Sequence, residues 1–412
     1  MNKLLNFMAL TALLVSLTAC GSGGSSSTPT SVPNTLSVFY AHNLVFRNST
    51  TLLSTGYNGS GQLGSGNLAN RTTPLPISGS DIFKGQAAGG NHSVAFFNSS
   101  TVRSWGDNRF GQLGNETTTY SSVPTKTKNI SNVVAVAAGS LHTIALKGDG
   151  TVWSWGDNSA SQLGVPANTK ITVDKVEVDI TKVGYSVLPV QVEVDGAPLS
   201  NIKAIAASGQ HSLALDIFGQ VWAWGLNATG ELGQDPTIVG ANARPRIVAG
   251  LPADIVAIAA GGAFNYAVTS SGVVYGWGNN NYGQLGFVSP ADKLYTHTPV
   301  PISVNGPAKV AQAAAGLKHG LFRLDDNSVW SIGNNHFGQL GINNQDHKST
   351  AVQVRDSLGT AFLANATDIR AFGSSSMALI GGSWFVWGDN SYGQLGTGKT
   401  GTLLLPEKMS GF

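Results

Sequence analysis

WGDNRFGQLG, residues 105–114, is the stretch that decides the fold, because its pattern W-G-x-N-x-x-G-Q-L-G occurs seven times in the chain. The other copies begin at Thr55, Trp155, Trp224, Trp277, Ile332 and Trp387. The Asn and the Leu are present in every copy, whereas Thr55, Ile332, Ser161 and Glu231 depart from the pattern. A unit repeated at this spacing is typical of architectures in which small modules stack on one another.

A second element, A-A-G-x-x-H-[ST]-x-A-L, precedes each copy by a nearly constant distance. From its Gly to the Gly after Trp is 17 residues in six copies, as from Gly89 to Gly106. Hairpin signals such as Asp149-Gly150, flanked by β-branched and aromatic residues, lie between the two elements. Each unit is therefore predicted to be an antiparallel meander of about four strands.

The repeats predict an all-β fold, a seven-bladed β-propeller of four-stranded antiparallel blades spanning residues 35–412. A four-stranded meander cannot bury both faces alone, so the units must stack, and one Trp in most copies supplies bulk between neighbours. A strand such as Thr298–Ile302 precedes each A-A-G element except the first. We expect the C-terminal strand, Leu403–Met409, to complete the N-terminal blade and close the ring.

The two elements resemble those of the regulator-of-chromosome-condensation repeat family, and the resemblance extends from about residue 35 to the C-terminus. It implies a seven-bladed propeller. Some members of the family exchange guanine nucleotides on a nuclear GTPase, and related bacterial repeats bind and inhibit β-lactamases. The export predicted from the N-terminus, described next, would keep this chain away from a nuclear GTPase. We do not carry the β-lactamase target over to this chain either.

The N-terminus is typical of a bacterial lipoprotein. Residues 1–19 contain the apolar run Leu4–Leu17, which is too short to span a bilayer, and Leu17-Thr18-Ala19-Cys20 resembles a lipobox. Cys20 is the single cysteine, and acylation would make it a lipid anchor. Residues 20–34 are a flexible Gly/Ser tether. We expect an exported protein anchored to the cell envelope, in the outer membrane if the host is Gram-negative.

Composition and the repeated polar residues argue against several functions. Charged residues are 11% of the chain and the net charge is +2, without the basic stripe that a nucleic-acid partner requires. Five of the eight His occupy one repeated position, His42, His92, His142, His211 and His319, which indicates structural roles rather than catalysis. We expect no catalytic residues, no metal site and no cofactor.

The connection from each GQLG to the next A-A-G element varies most, at 25 residues in the first two cases and 44 after Gly164. We expect an insertion at about 166–195, with Ile171–Asp174 and Val176–Ile180 alternating as in a hairpin. Strand parity places these connections on the same face as the G-x-x-H turns. The candidate partner-binding residues on that face are Phe110, Tyr120, Tyr185, Tyr282, Tyr295, Phe337 and Tyr392.

Variable loops on one face of a repeat protein commonly form its binding surface. The sequence therefore favours a membrane-tethered, monomeric binding module that engages a protein partner, with a glycan as the other ligand class left open. The alternative is a cell-envelope hydrolase or lyase that uses the central cavity. That alternative requires a non-repeated cluster of carboxylates or histidines at the propeller axis.

Overall fold

The computed structural model describes residues 41–47, 51–77, 82–97, 101–238, 244–288, 294–306 and 308–412. These residues form 31 strands and one short helix. Seven antiparallel sheets are the blades of a propeller, as the repeats predict. Within the described ranges, no helix combines the length and apolar character that crossing a membrane requires.

The first three blades contain the following elements in chain order. Blade 1 has β1 (His42–Phe46), β2 (Leu52–Gly56) and β3 (Arg71–Pro76), and blade 2 has β4 (Phe83–Ala88), β5 (His92–Phe97), β6 (Val102–Gly106) and β7 (Ser121–Lys126). Blade 3 begins with β8 (Val133–Ala138), β9 (His142–Lys147) and β10 (Val152–Asp157). A ribbon, β11 (Lys170–Val173) and β12 (Val176–Asp179), and the helix α1 (Ile180–Val183) then precede β13 (Tyr185–Gln191), which completes blade 3.

The remaining blades follow a second ribbon, β14 (Glu193–Val194) and β15 (Ala197–Pro198). Blade 4 has β16 (Ile202–Ser208), β17 (His211–Asp216), β18 (Val221–Gly225) and β19 (Arg246–Ile247), and blade 5 has β20 (Ile255–Ala260), β21 (Phe264–Thr269), β22 (Val274–Asn279) and β23 (Tyr295–Ile302). Blade 6 has β24 (Val310–Ala315), β25 (His319–Leu324), β26 (Val329–Gly333) and β27 (Lys348–Gln353), and blade 7 has β28 (Ala366–Phe372), β29 (Ser375–Ile380), β30 (Ser383–Gly388) and β31 (Leu403–Lys408).

The position of the C-terminal strand corrects the expected closure of the ring. β31 pairs with β30, with Val386 opposite Glu407, and is the outer strand of blade 7 rather than a part of blade 1. The reason is general: the loop after each W-G strand returns the chain antiparallel beside that same strand, as β23 does beside β22. The strand ahead of each A-A-G element thus belongs to the preceding blade. Blade 7 meets blade 1 through its loop, where Thr55 Oγ1 donates to the Gly393 carbonyl at 2.9 Å.

In most pairs of neighbouring blades, one backbone carbonyl of the first blade accepts two hydrogen bonds from side chains of the second. In blade 2 the Gln112 carbonyl accepts from Thr143 Oγ1 at 3.1 Å and from the fully buried Trp155 Nε1 at 2.9 Å, both in blade 3. The same paired contact joins Gln62 to Ser93 and Trp105, Gln162 to Ser212 and Trp224, Glu231 to Asn265 and Trp277, and Gln339 to Ser376 and Trp387. We call these pairs the interblade contacts. They explain the recurring Trp, whereas the Gln takes part through its backbone carbonyl only.

Between blades 5 and 6 both donors of this contact are missing, because the sequence has Gly320 and Ile332 at their positions. Tyr266 of blade 5 replaces them, since its hydroxyl donates to the Gln284 carbonyl at 2.6 Å. A Cβ at Gly320 would lie 2.3 Å from the Tyr266 hydroxyl oxygen, so only glycine leaves room for the ring. The three departures from the repeat therefore compensate one another.

Substituting Tyr266→Phe should lower the free energy of unfolding by about 1–3 kcal/mol, because the buried Gln284 carbonyl loses its donor while the packing stays nearly unchanged. Denaturant unfolding measures the effect. Tyr275→Phe, on the adjacent strand and only half-buried, is the matched control and should change stability by less than about 0.5 kcal/mol. Equal effects of the two substitutions would contradict the assigned role.

The antiparallel order gives the propeller two distinct ends. The G-x-x-H turns and the loops that contain GQLG lie at one end, which we call the loop face. The tight turns between the second and third strands of each blade lie at the other end, which we call the hairpin face. The placement of the turns on these two faces agrees with the strand parity used in the sequence prediction.

Candidate binding surface

The repeated Asn and Gln shape the loops of the loop face. In blade 2, Asn108 Oδ1 accepts from the Leu113 amide at 2.9 Å, and Gln112 Oε1 accepts from the Phe110 amide at 2.9 Å. The equivalent two bonds are present in all seven copies, with Glu231 in place of Gln in one. Side chains that satisfy backbone donors in this way hold a loop in one conformation, so the loop face is a pre-organised surface.

The long connection after Gly164 folds into the predicted hairpin. β11 and β12 pair with Ile171 opposite Val178 and Val173 opposite Val176, so these four apolar residues share one side of the ribbon. The other side carries Lys170, Thr172, Glu177 and Asp179, and Lys170 pairs with Glu177 at 2.8 Å. Asp179 then caps α1 by accepting from the Thr181 amide at 3.1 Å.

The predicted insertion at 166–195 includes a strand that belongs to the blade itself. β13, Tyr185–Gln191, pairs with β10 as the outer strand of blade 3. The additional residues therefore divide into 165–184 on the loop face and 192–201, with the ribbon β14–β15, on the hairpin face. A single connection in the sequence thus supplies structure to both ends of the propeller.

An open groove separates the hairpin from the neighbouring blade. Its volume is about 400 Å³, and its lining is apolar or β-branched apart from Glu116. The lining residues are Glu116, Thr117, Thr118, Thr119, Ile171, Val173, Val178, Val183, Tyr185 and Val187. The apolar side of the hairpin therefore borders this open space, although Ile171 also packs against a small core of Leu163, Val165, Ile180 and Val190. We call this space the hairpin groove.

Three of the seven predicted aromatic residues lie in or near the hairpin groove. Tyr185 lines it, and the Phe110 ring stands edge-on to the Tyr185 ring at 6.4 Å between centroids. Tyr120, whose side chain is 54% exposed, directly follows the three threonines of the groove wall. Amphipathic rings held on a rigid rim are the residues that dominate the affinity of many protein interfaces.

Of the other four, Tyr282, Phe337 and Tyr392 lie on the loops of blades 5, 6 and 7, and Tyr295 is the first residue of β23. Tyr282 is half-buried beneath Lys318, whose ammonium lies 5.1 Å from the ring centroid. Tyr295 and Phe337 are half-buried, and Tyr392 is exposed and packs edge-on against Tyr57 at 5.0 Å. These residues share the loop face with the hairpin groove but do not line it.

The repeated histidines join neighbouring blades. His142 Nε2 hydrogen-bonds Ser212 Oγ at 2.9 Å, and the other four make the equivalent contacts, His42 to Ser93, His92 to Thr143, His211 to Asn265 and His319 to Ser376. All five are buried. Burial lowers the pKa of His42, His142 and His319 to about 3, and that of His92 and His211 to about 4. The side chains are therefore neutral at physiological pH.

A non-repeated polar cluster lies between blades 6 and 7. Asp368 accepts from Gln312 Nε2 at 2.7 Å and from Arg370 Nη2 at 2.8 Å, and Arg323 adjoins Gln312. Burial raises the pKa of Asp368, and Arg370 opposes that effect. The cluster contains a single carboxylate, that of Asp368, and both Arg370 and Gln312 donate hydrogen bonds to it. The described residues contain no group of three His, Cys, Asp or Glu arranged to bind a metal ion.

Family models match most of the folded chain. The model of the RCC1-like domain matches residues 179–412, and models of the regulator of chromosome condensation (RCC1) repeat match residues 51–96 and 101–146, and 87–112 and 133–162. The chain belongs to the RCC1 family. The interblade contacts and the loop bonds described above are therefore features of an RCC1-type propeller in this chain.

Named relatives each match about half of this RCC1-family chain. Human HERC3, a probable E3 ubiquitin-protein ligase, is 30% identical over 215 residues, which are 51% of this chain and 20% of HERC3. The ultraviolet-B receptor UVR8 of Arabidopsis thaliana is 32% identical over 200 residues, which are 48% of this chain and 43% of UVR8. The match spans less than half of either relative.

The solved structure of Prp20p from Saccharomyces cerevisiae superposes with a TM-score of 0.72 at 22% identity, covering 91% of this chain and 87% of Prp20p. At that identity the likeness supports the propeller fold alone. The predicted signal peptide at 1–19, Cys20 and the tether at 20–34 lie outside the described residues.

Proposed function

We propose that this RCC1-family propeller is a membrane-tethered, extracytoplasmic binding module that engages a protein partner through the hairpin groove. The observation that carries the proposal is the amphipathic hairpin, whose apolar side lines an open space of about 400 Å³ on the loop face. Exposed apolar side chains lose contact with water when a partner fills such a groove, and this supplies binding free energy.

The architecture around the groove suits a protein rather than a small molecule. Val176 on the hairpin and Val183 in α1 are 61% and 47% exposed, and Tyr120 extends the apolar surface beyond the groove itself. A small ligand would leave these side chains in water, whereas a protein segment can cover all of them. Prp20p, which has the same fold, binds Gsp1p and histones. A propeller of this kind can therefore serve as a protein-binding surface, which supports the proposal.

The tethering half of the proposal rests on the sequence of the N-terminus. Cys20 follows an apolar segment and small residues in the order of a lipobox, and no other cysteine occurs in the chain. Acylation there would hold the propeller at the envelope membrane, which we propose to be the outer membrane in a Gram-negative host. Metabolic labelling with a fatty-acid analogue tests it, since Cys20→Ser should abolish incorporation.

The binding half is tested by photo-crosslinking followed by titration. A photoreactive side chain at Val178, on the groove side of the hairpin, should form an adduct with one protein of the host envelope. The identified partner is then titrated against the wild-type chain and two variants. Val178→Asp should weaken binding at least tenfold, because the partner would desolvate an unpaired carboxylate.

Thr172→Asn is the matched control, because Thr172 is exposed on the polar side of the same hairpin. It should leave the dissociation constant within about twofold of the wild-type value. Equal weakening by both variants, or none by Val178→Asp, would contradict binding in the groove. An adduct with a glycan in place of a protein would assign the groove to the other ligand class.

A further inference from the structure

The hairpin face of blade 4 carries an apolar turn. Ile217 and Phe218, between β17 and β18, are 57% and 65% exposed. The equivalent described turns carry Gly148-Asp149, Ser270-Ser271, Asp325-Asp326 and Gly381-Gly382. Tight turns are normally built from such small or polar residues, because their side chains point into water. The other blades form this turn without apolar residues, so folding does not require Ile217 and Phe218 to be apolar.

Two more exposed apolar residues lie on the adjoining part of blade 5. The Gly219 backbone lies against the Ala253 carbonyl at the start of blade 5, and the Ser270 amide donates to the Asp254 carbonyl at 3.0 Å. Val256 follows this contact at the beginning of β20, and Val273 ends the turn that begins at Ser270. Val256 is 48% exposed and Val273 is 41% exposed. We call Ile217, Phe218, Val256 and Val273 the hairpin-face patch.

Lysines flank the patch on both sides. Lys203 is the second residue of β16, and Lys309 lies against Gly272, next to Val273. Three acidic residues lie in the same region. Asp254 accepts from the Ser270 hydroxyl at 2.6 Å, Asp216 directly precedes Ile217 and interacts electrostatically with Lys203, and the Asp325 amide donates to the Lys309 carbonyl at 2.9 Å. Apolar side chains with lysines beside them match the boundary between the acyl chains and the phosphates of a lipid headgroup layer.

The patch is small for a protein interface. Four side chains of this size, half exposed, present on the order of 300 Å², whereas a stable complex of two proteins buries about 800 Å² on each partner. A patch of this size is sufficient for a chain that is already held near its target, because tethering gives the second contact a high effective concentration. The area therefore favours a lipid surface over a second copy of the chain.

The predicted tether supplies that proximity. Residues 20–34 are Gly- and Ser-rich, and sequences of about fifteen residues with that composition have in general a root-mean-square span of about 20 Å. A propeller anchored at Cys20 would stay within reach of the bilayer, and the patch is the surface on which it would come to rest. This inference rests on the anchoring in the proposed function and not on the hairpin groove.

We propose that the hairpin-face patch rests on the lipid bilayer, with Phe218 and Ile217 among the headgroups, so that the loop face and its groove point away from the membrane. The orientation would leave the hairpin groove open to a partner. It would also add a second membrane contact to the acyl anchor.

The test places a photoreactive phenylalanine analogue at residue 218 of the full chain, expressed in a bacterial host, with residue 120 on the loop face as the matched control. After irradiation, mass spectrometry of the purified chain should show a phospholipid adduct at residue 218 at least fivefold more often than at residue 120. Equal yields at the two positions, or no lipid adduct on an acylated chain, would overturn the proposal. A protein adduct or a dimer at residue 218 would overturn it in favour of a protein interface.

A second variant separates the patch from the anchor. In Cys20→Ser the lipid adduct at residue 218 should fall at least fivefold, because the tether no longer holds the propeller at the membrane. An undiminished adduct in Cys20→Ser would support the patch while contradicting the anchoring half of the proposed function. Lys203→Glu together with Lys309→Glu should lower the lipid adduct in the anchored chain, and an unchanged yield would show that the lysines do not contribute to the membrane contact.

Discussion

Replacing Trp155 by alanine should lower the free energy of unfolding by about 3–5 kcal/mol. The side chain is fully buried between blades 2 and 3, and its indole donates to the Gln112 carbonyl. The substitution removes a large apolar surface, leaves a cavity at the blade interface and removes one of the two donors to a buried carbonyl. Denaturant unfolding followed by tryptophan fluorescence or circular dichroism measures the loss.

Trp153→Ala is the matched control, because Trp153 lies two residues earlier on the same strand and is only half-buried. Its indole meets Thr151 of its own blade at 3.3 Å rather than a neighbouring blade. We expect a loss of less than about 2 kcal/mol from this change. If Trp153→Ala lowers the free energy of unfolding as much as Trp155→Ala does, the interblade contact is not what stabilises the ring.

Acidification from pH 6.5 to pH 5 should destabilise the propeller steeply. The five interblade histidines have pKa values lowered to about 3 or 4 by burial, whereas unfolded histidine titrates near 6.5. Between these values the unfolded chain binds protons and the folded chain does not, so the free energy of unfolding falls as pH falls. Each histidine contributes about 0.7 kcal/mol per pH unit at pH 6.5, where the unfolded side chain is half protonated, and approaches about 1.4 kcal/mol per pH unit below pH 5.5. Five histidines therefore approach a slope on the order of 7 kcal/mol per pH unit near pH 5.

Urea unfolding at a series of pH values measures that slope. His142→Gln should flatten it by about 1.4 kcal/mol per pH unit, because one titrating group is lost. Trp153→Ala should lower stability at every pH but keep the slope, since it retains all five histidines. A slope that His142→Gln leaves unchanged would place the acid sensitivity elsewhere in the molecule.

The repeats predicted the propeller because the residues that recur are those that join the blades. The side chains of Trp155 and His142 each make an interblade bond, so their recurrence in the sequence reports a recurring contact, and the recurring Gln112 side chain holds its own loop. The pairing of β31 was predicted wrongly because a strand pattern shows that a segment is extended but not which neighbour it pairs with. The mutual compensation of Tyr266, Gly320 and Ile332 was equally invisible, since each departure looks isolated along the chain.

The candidate site was predicted less completely than the fold. The alternating residues of β11 and β12 predicted the hairpin, and strand parity placed it on the loop face. The hairpin groove itself depends on how far the hairpin stands from Thr117–Thr119 of another blade, and no local pattern encodes that distance. Ile217-Phe218 did carry a local signal, an apolar pair at a tight turn, but its neighbours Val256 and Val273 join it only in the folded chain.

The measurement that tests the central claim most directly is hydrogen–deuterium exchange of the chain, alone and saturated with the partner captured at Val178. Binding in the hairpin groove predicts slower exchange at residues 116–119, 171–178 and 185–187, with the hairpin face unchanged. Slower exchange confined to the hairpin face or to the loops of blades 5–7, with the groove residues unchanged, would contradict it.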